Sequence, residues 1–336
     1  FTQLALAAAD EALGQCGPLT EDPDRIGVVL GTGIGGLETL EEQILTHHEK
    51  GARRVSPFLV PMMMANAAPA AISMRYGFRG PCETTVTACA ASTHAIGNAA
   101  RLIASGRCDA VISGGTEASM TPVSMAGFTN MTALSSSGQS RPFDARRDGF
   151  MMAEGAAVVV LEEWDAAVAR GATILAEVLG AASTADAHHI TAPAPGGSGA
   201  VSCMELALTD AALSPGDIAH INAHGTSTPL NDAAEAEAIV KVFGTPGPPV
   251  TSTKGVTGHA LGAAGALEAA AVVLSIEHRL IPPTAGTDAR DPEVAPIDLV
   301  VGGPRSWTPG PSLSNSFGFG GHNGCLVLGP ATNPRQ

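Results

Sequence analysis

The chain is short of several things, and each shortage removes a class of function. Basic side chains number 18 against 32 acidic ones, a net charge of −14. A general nucleic-acid footprint, which rests on neutralising phosphates, is therefore excluded. No apolar run approaches the ~20 residues needed to cross a bilayer, which excludes membrane insertion. The six cysteines, Cys16, Cys82, Cys89, Cys108, Cys203 and Cys325, form no C-x-x-C pair and follow no signal peptide. Neither a zinc site nor a disulfide framework is indicated, and a reducing cytoplasm is the expected compartment. Aromatic residues make up only 4%. The sequence also lacks an initiating Met and a helix cap: Phe1 opens "FTQLALAAADEAL" already in a helix-like apolar pattern, which predicts that a segment precedes it. What remains is 336 residues, 45% hydrophobic and rich in Ala and in Gly (40), enough for a large core and about two domains or two fused halves.

Strand-like runs alternate with amphipathic segments. "RIGVVLG", "ETTVTAC", "CDAVISGG" and "GAAVVVLEE" are separated by helix patterns such as "STHAIGNAARLIASG", and after residue 172 the scheme restarts with "TILAEVLGAAS". This predicts an α/β protein of two halves, 1–172 and 173–336. Pro122 to Arg147 and residues 185 to 199 are the least regular stretches, and loops of that length face substrate more often than not. "GTGIGG" carries the G-x-G-x-x-G spacing of a dinucleotide turn, but the acidic strand end expected about 20 residues later is missing. In its place stands "HHEKGARRVSPF". These glycines are read instead as a tight turn with close backbone packing. Arg53 and Arg54 within the polar stretch are a candidate patch for an acidic partner.

"TTVTACAASTHAIG" sets Cys89 between a β-branched strand and a helix starting near Ala90, where free amides lower a thiol's pKa and hold an oxyanion. "INAHGTSTPLND" puts His224 beyond a strand, and "TSTKGVTGHALGAAGALEA" puts His259 ahead of an Ala-rich helix. Carboxyl ends of strands converge in α/β layers, so Cys89, His224 and His259 can meet. Glu268, inside the apolar helix, needs a partner, for which Lys254 and His259 are both candidates. "SNSFGFGGHNG" is a glycine-rich turn able to bring the Phe319 amide near the thiol.

Together, "TACAAST", "NAHGTSTPLND", "STKGVTGHALGAAGALE" and "NSFGFGGHNG" resemble, in order, the Cys, first His, Lys/His/Glu and glycine-rich motifs of the 3-oxoacyl-[acyl-carrier-protein] synthases of the type II, elongating branch. The resemblance extends through "GTGIGG", "SRPFDARRDGF" and "ADAHHITAP" to essentially the whole chain. It implies the thiolase fold, two related βαβαβαββ halves in a five-layer αβαβα sandwich, working as a homodimer. It also implies a decarboxylating condensation of acyl- and malonyl-carrier proteins. Cys89 would carry the acyl group, and the amides of Cys89 and Phe319 would hold the oxyanion. His224 and His259 would stabilise the enolate, with Lys254 and Glu268 ordering His259 and the local charge rather than transferring protons. Ile34, Phe128, Thr191, Thr226, Thr228 and Phe319 fall at substrate-contacting positions, Ile34 at the far end of the acyl pocket and the two threonines of "GTSTP" on the pantetheine arm. No metal or organic cofactor is implied, because phosphopantetheine arrives on the acyl carrier protein.

Departures are few. Ala153 and Ala157 replace usual glycines, and His322 stands where many members have Thr. The first strand of the fold is expected to be missing, and to belong between the strands of "RIGVVLG" and "CDAVISGG". Two alternatives share parts of the pattern. A degradative thiolase would need a second catalytic cysteine, with Cys325 the late candidate, and a non-catalytic carrier-binding (chain-length) subunit would lack the active cysteine that Cys89 supplies.

Overall fold

A computed structural model describes residues 1–331. Its first half runs α1 (Thr2–Cys16), β1 (Ile26–Gly31), α2 (Leu37–Lys50), α3 (Leu59–Met63), α4 (Ala67–Tyr76), β2 (Cys82–Thr85), α5 (Ala91–Ala104), β3 (Ala110–Glu117), α6 (Pro122–Asn130), β4 (Gly155–Glu162) and α7 (Trp164–Ala169). The second runs β5 (Ala176–Ala185), α8 (Ser198–Asp210), β6 (His220–Asn222), α9 (Pro229–Phe243), β7 (Pro249–Thr251), α10 (Lys254–Thr257), α11 (Ala264–His278), β8 (Leu280–Ile281), β9 (Asp298–Leu299), β10 (Arg305–Ser306), β11 (Ser312–Gly318) and β12 (His322–Pro330).

The two sheets repeat one topology. The first is ordered β2-β1-β3-β4, the second β5-β12-β11-β6-β7-β9. In each, a central strand (β1, β6) lies parallel to the strand on either side of it. An antiparallel strand (β4, β12) follows beyond. β1 is buried along its whole length, as a parallel strand covered on both faces must be, which accounts for its unbroken "IGVVLG" run.

Five layers result. Ala5 and Ala9 of α1, spaced one turn apart, and Ala68 and Ile72 of α4 pack on Val28, Leu30 and Ile112 at one face of the first sheet. Ala95 and Ala99 of α5 cover the other face against Val29 and Val111. α5 and α11 share the middle layer, where Ile96, Ala266, Ala269 and Val272 meet Ala157 from one sheet and Ala181, Leu326 and Leu328 from the other. α8 and α9 close the far face with Met204, Ala207, Leu208, Ala236 and Ile239 against Ile221, Leu313 and Val327. Against the expectation that no apolar run comes near spanning length, the helical stretch Leu261–His278 is apolar and long enough to cross a membrane, but most of it is buried in this middle layer. The small side chains of both central helices let the sheets approach closely, so the Ala and Gly richness of the sequence is a property of this sandwich.

Two expectations need correction. No strand lies between those of "RIGVVLG" and "CDAVISGG": β1 and β3 pair directly, in register from Ile26↔Ala110 to Gly31↔Gly115. With β2 on its other edge, β1 has no unpaired ladder. The stretch beginning at Pro122 is not irregular throughout, because Thr121 accepts from the Ser124 amide in a capping box and Pro122 occupies the first helical position, starting α6. Phe1 stands at the cap position of α1, its carbonyl accepting from the Thr116 hydroxyl at 2.7 Å.

Candidate functional site

The site gathers at the carboxyl ends of the parallel strands. After β2 the chain turns through Ala88, at a strained φ of 49°, into a 3-10 turn Ala88–Ala90 that presents Cys89 at the start of α5. β6 leads to His224, and β7 leads through α10 to His259. One donor atom from each of Cys89, His224 and His259 lies within 4.8 Å of the others, although the residues come from both halves. The His224 and His259 rings meet edge to face at 5.4 Å, and His259 is braced on its other side by Phe150 at 5.2 Å.

All three line a cavity of about 350 Å³, together with Thr191, Thr226, Thr228, Phe317 and Phe319. The Thr226 and Thr228 hydroxyls are 3.0 Å apart, and Thr228 also caps α9 ahead of Pro229. Lys254 and Glu268 lie behind this wall as a buried ion pair, and Lys254 donates to the His224 carbonyl at 2.6 Å. Of the two partners open to Glu268, the ammonium is therefore the one that takes it. Ile34 and Phe128 are not in the cavity wall of this chain. Ile34 is 39% exposed on the loop after β1. Phe128 packs edge to face on Phe150 at 5.5 Å, one ring removed from His259. Cys325 is buried in the second sheet, its thiol donating to Asn315 Oδ1 at 3.2 Å, and it does not line the cavity.

The electrostatics differ from expectation at the nucleophile. Burial pushes the Cys89 thiol up, to about 11, and outweighs the Lys254 ammonium and the Phe319 and Cys89 amides that favour the thiolate. The helix start alone does not make a resting thiolate here, because the desolvation of a buried sulfur is larger than the field of one helix end. Burial and the Lys254 charge hold His224 and His259 far below the usual histidine range, so both rings are neutral and each keeps one N–H to donate. Glu268 is raised to about 7 by burial, against the pull of Lys254.

Three supports had not been singled out in the sequence. Glu235 of α9 accepts from the His224 and Gly225 amides, both at 2.8 Å, and from Asn315 Nδ2 at 3.2 Å, which fixes the His224 loop. His94 takes the Thr87 hydroxyl on Nδ1 at 2.8 Å and meets the Asn323 carbonyl with Nε2 at 2.9 Å. Since a carbonyl only accepts, Nε2 carries the proton and Nδ1 accepts. The ring thus clamps the Cys89 turn to the strand that follows the glycine-rich loop. Glu117, at the end of β3, is wholly buried and forms no ion pair among the described residues. It accepts from the Gly33 amide (2.6 Å), the Gly262 amide (3.1 Å) and the Ser119 hydroxyl (2.6 Å). "ALEAAA" drew attention to a carboxylate among apolar neighbours, and "DAAEAEAI" offered the same signal at Glu235.

"GTGIGG" now has a structural task. A Cβ on Gly31 would sit 2.3 Å from the Ser92 amide at the start of α5, and one on Gly33 would sit 2.7 Å from the Glu117 carboxylate. The glycines allow backbone to meet backbone beside the site, as the tight-turn reading holds.

The residues that could hold a cofactor or metal are the same Cys89, His224 and His259, and they are also placed to act together on one carbonyl carbon and its oxygen. The glycine-rich turn crosses them closely: a Cβ on Gly318 would lie 3.0 Å from the Cys89 amide. The Phe319 amide donates toward the Cys89 sulfur.

Comparison with known proteins follows the same lines. Residues 1–167 match the beta-ketoacyl synthase N-terminal domain and residues 175–288 the beta-ketoacyl synthase C-terminal domain. The chain is 47% identical over 337 residues to 3-oxoacyl-[acyl-carrier-protein] synthase 2 of Synechocystis sp., covering 98% of this chain and 81% of that protein. It is 46% identical to 3-oxoacyl-[acyl-carrier-protein] synthase 2 of Staphylococcus aureus, covering 98% and 83%. A beta-ketoacyl synthase from Burkholderia phymatum superposes with a TM-score of 0.92 at 36% identity, over 98% of this chain and 81% of that one. A type II PKS ketosynthase, solved with its acyl-carrier protein and bound to the hexaketide, superposes with a TM-score of 0.95 at 33% identity, over 98% and 85%. With both domain profiles matched, the five-layer sandwich in place and a cysteine and two histidines converging at its strand ends, this chain belongs to the beta-ketoacyl synthase family.

Proposed function

We propose that the protein is a 3-oxoacyl-[acyl-carrier-protein] synthase that lengthens a fatty acyl or polyketide chain by two carbons. The observation that carries this reading is the convergence of Cys89, His224 and His259 at the cavity. In the first half-reaction Cys89 attacks the thioester of an acyl-carrier protein. A neutral imidazole is the base within reach of its proton, which leaves on the carrier thiol, and the acyl group stays on sulfur. The tetrahedral oxyanion is held by the Cys89 and Phe319 amides. Malonyl-carrier protein then enters, carbon dioxide departs, and the His224 and His259 N–H groups hydrogen-bond the enolate oxygen. Neutral donors suit this task, since they stabilise developing charge without protonating the carbanion. The enolate carbon attacks the acyl-cysteine, and the 3-oxoacyl product stays on the carrier while Cys89 regains a proton.

Each remaining residue has a part in this account. Lys254 and Glu268 position His224 from behind the wall. Thr226 and Thr228 receive the pantetheine arm, with Thr191 and Phe319 along the same cavity. Ile34 and Phe128 set the far end of the acyl channel, completed by a second copy of the chain. That dimer is supported by the edge strand β2 and by the exposed apolar side chains of Phe58, Val60, Met62, Met64 and Met74 nearby. Arg53 and Arg54, both exposed, supply positive charge for an acidic carrier protein. The chemistry needs no metal or resident organic cofactor, and free thiols throughout suit a cytoplasmic enzyme.

The test is to incubate the purified protein with hexanoyl- and malonyl-carrier proteins and follow carbon dioxide and products. Carbon dioxide released in step with a 3-oxoacyl-carrier protein two carbons longer supports the reading. Hydrolysis, or transfer without carbon dioxide release, refutes it.

A further inference from the structure

We propose that Cys89, His224 and His259 form an inhibitory Zn2+ site, which switches the enzyme off reversibly by capturing its nucleophile. A tetrahedral zinc ion with bonds of about 2.3 Å to sulfur and about 2.0–2.1 Å to nitrogen holds those donors roughly 3.5 Å apart. The three donor atoms already lie within 4.8 Å of one another, so closing the site takes shifts of about 1 Å. All three residues are buried, in a wall otherwise made of packed aromatic rings and loops held by hydrogen bonds.

His224 turns Nδ1 toward the Lys254 ammonium at 3.4 Å, behind the wall, so Nε2 is the nitrogen it has left for the ion on the cavity side. His259 is buried and its Nδ1 has no hydrogen-bond partner among the described residues, so no hydrogen bond at that atom fixes the ring. One thiolate and two imidazoles select zinc or cobalt over magnesium or calcium, which prefer oxygen ligands. Three protein ligands leave a fourth position, and here it opens on the cavity, where water completes the tetrahedron.

Binding follows Enz–SH + Zn2+ → Enz–S–Zn+ + H+. The sulfur–hydrogen bond breaks, the sulfur electron pair forms the metal bond, and the proton goes to buffer. The nucleophile is then masked and both enolate donors are engaged. An acylated or alkylated Cys89 has no anionic sulfur to offer and does not take the ion. The site is thus a property of the resting enzyme: metal binding stands on donor geometry alone, while its inhibitory effect rests on the proposed reaction.

The test uses the full chain at pH 7.5, with Co2+ as the spectroscopic probe and Zn2+ as competitor. One Co2+ per chain is expected, with a near-ultraviolet sulfur-to-metal charge-transfer band and the intense visible bands of a tetrahedral ion, both erased by Zn2+. Zn2+ should slow iodoacetamide labelling of Cys89 at least tenfold, with full recovery in EDTA. Prior alkylation, with the fold checked by circular dichroism, should abolish the band, as should Cys89→Ala, and His259→Ala should weaken Zn2+ at least tenfold. Absence of the thiolate band, its persistence after alkylation or in Cys89→Ala, or unhindered labelling under saturating Zn2+ would overturn the proposal. Condensation assays play no part, so failure here is distinct from failure of the proposed reaction.

Discussion

Replacing Glu117 probes how the site is held together. Its carboxylate takes the amide of Gly33 from the "GTGIGG" loop and that of Gly262 from the segment after His259, and so joins the two halves beside the nucleophile. Glu117→Ala leaves the Gly262 amide without an acceptor in the buried interior and the Gly33 amide without one on a half-buried loop. At about 1–3 kcal/mol for an unsatisfied buried N–H, and less for one that water can reach, the loss is roughly 2–4 kcal/mol. That is a large part of the roughly 5–15 kcal/mol that holds a typical domain. Glu117→Gln is the informative contrast. Its amide oxygen can still accept from Gly33 and Gly262, while its NH2 faces the Ser119 and Thr32 hydroxyls, which rotate to accept, so the loss is mainly charge assistance, at about 1 kcal/mol. Equilibrium unfolding in urea at constant m-value measures both variants. The expected order is wild type, then Gln close behind, then Ala far below. An Ala variant within about 1 kcal/mol of wild type would refute the reasoning, since it would mean that the two amides find water or other acceptors.

Other predictions follow from the same geometry. Ile34→Phe should shorten the longest acyl chain accepted and spare short ones, because added ring volume at a channel end meets only a chain that reaches it; equal losses across graded acyl-carrier proteins would remove Ile34 from that position. Iodoacetamide labelling of Cys89 should rise about tenfold per pH unit from 8 to 10, as expected for a thiol pushed up to about 11, and a plateau below pH 9 would show a resting thiolate instead. Glu235 is pushed by burial to about 7, so the folded chain keeps a proton that the unfolded chain releases above its ordinary value near 4.5. Stability should therefore fall as pH rises from about 4.5 to about 7 and then level, and Glu235→Gln should flatten part of that slope in urea titrations; a slope unchanged in the variant would assign the proton elsewhere.

The layers, the duplicated topology and the placement of Cys89, His224 and His259 at strand ends were legible because each rests on local signals: β-branched runs, glycine punctuation, and a chemical residue just past a strand. The supporting carboxylates were harder to see. Glu117 takes its donors from positions 84 and 145 residues away, and backbone amides leave no mark in the sequence of the residue that accepts from them. The direction of the Cys89 shift was hidden for a related reason. A helix start is visible locally, whereas the burial that outweighs it comes from the Phe319 turn, Phe150 and Leu261 closing over the sulfur. The pairing of β1 with β3 depends on sheet order, and hydrophobic runs alone do not specify which strands are neighbours.

The most direct test of the central claim is the intact mass of the protein after exposure to hexanoyl-carrier protein alone, with the adduct mapped by proteolysis. The account predicts one acyl group on the Cys89 peptide of the wild type and none on Cys89→Ala. His224→Ala and His259→Ala should acquire the adduct to some extent and hold it when malonyl-carrier protein is added, while the wild type discharges it as product. An adduct on any other residue, or a Cys89→Ala variant acylated like the wild type, would contradict the account.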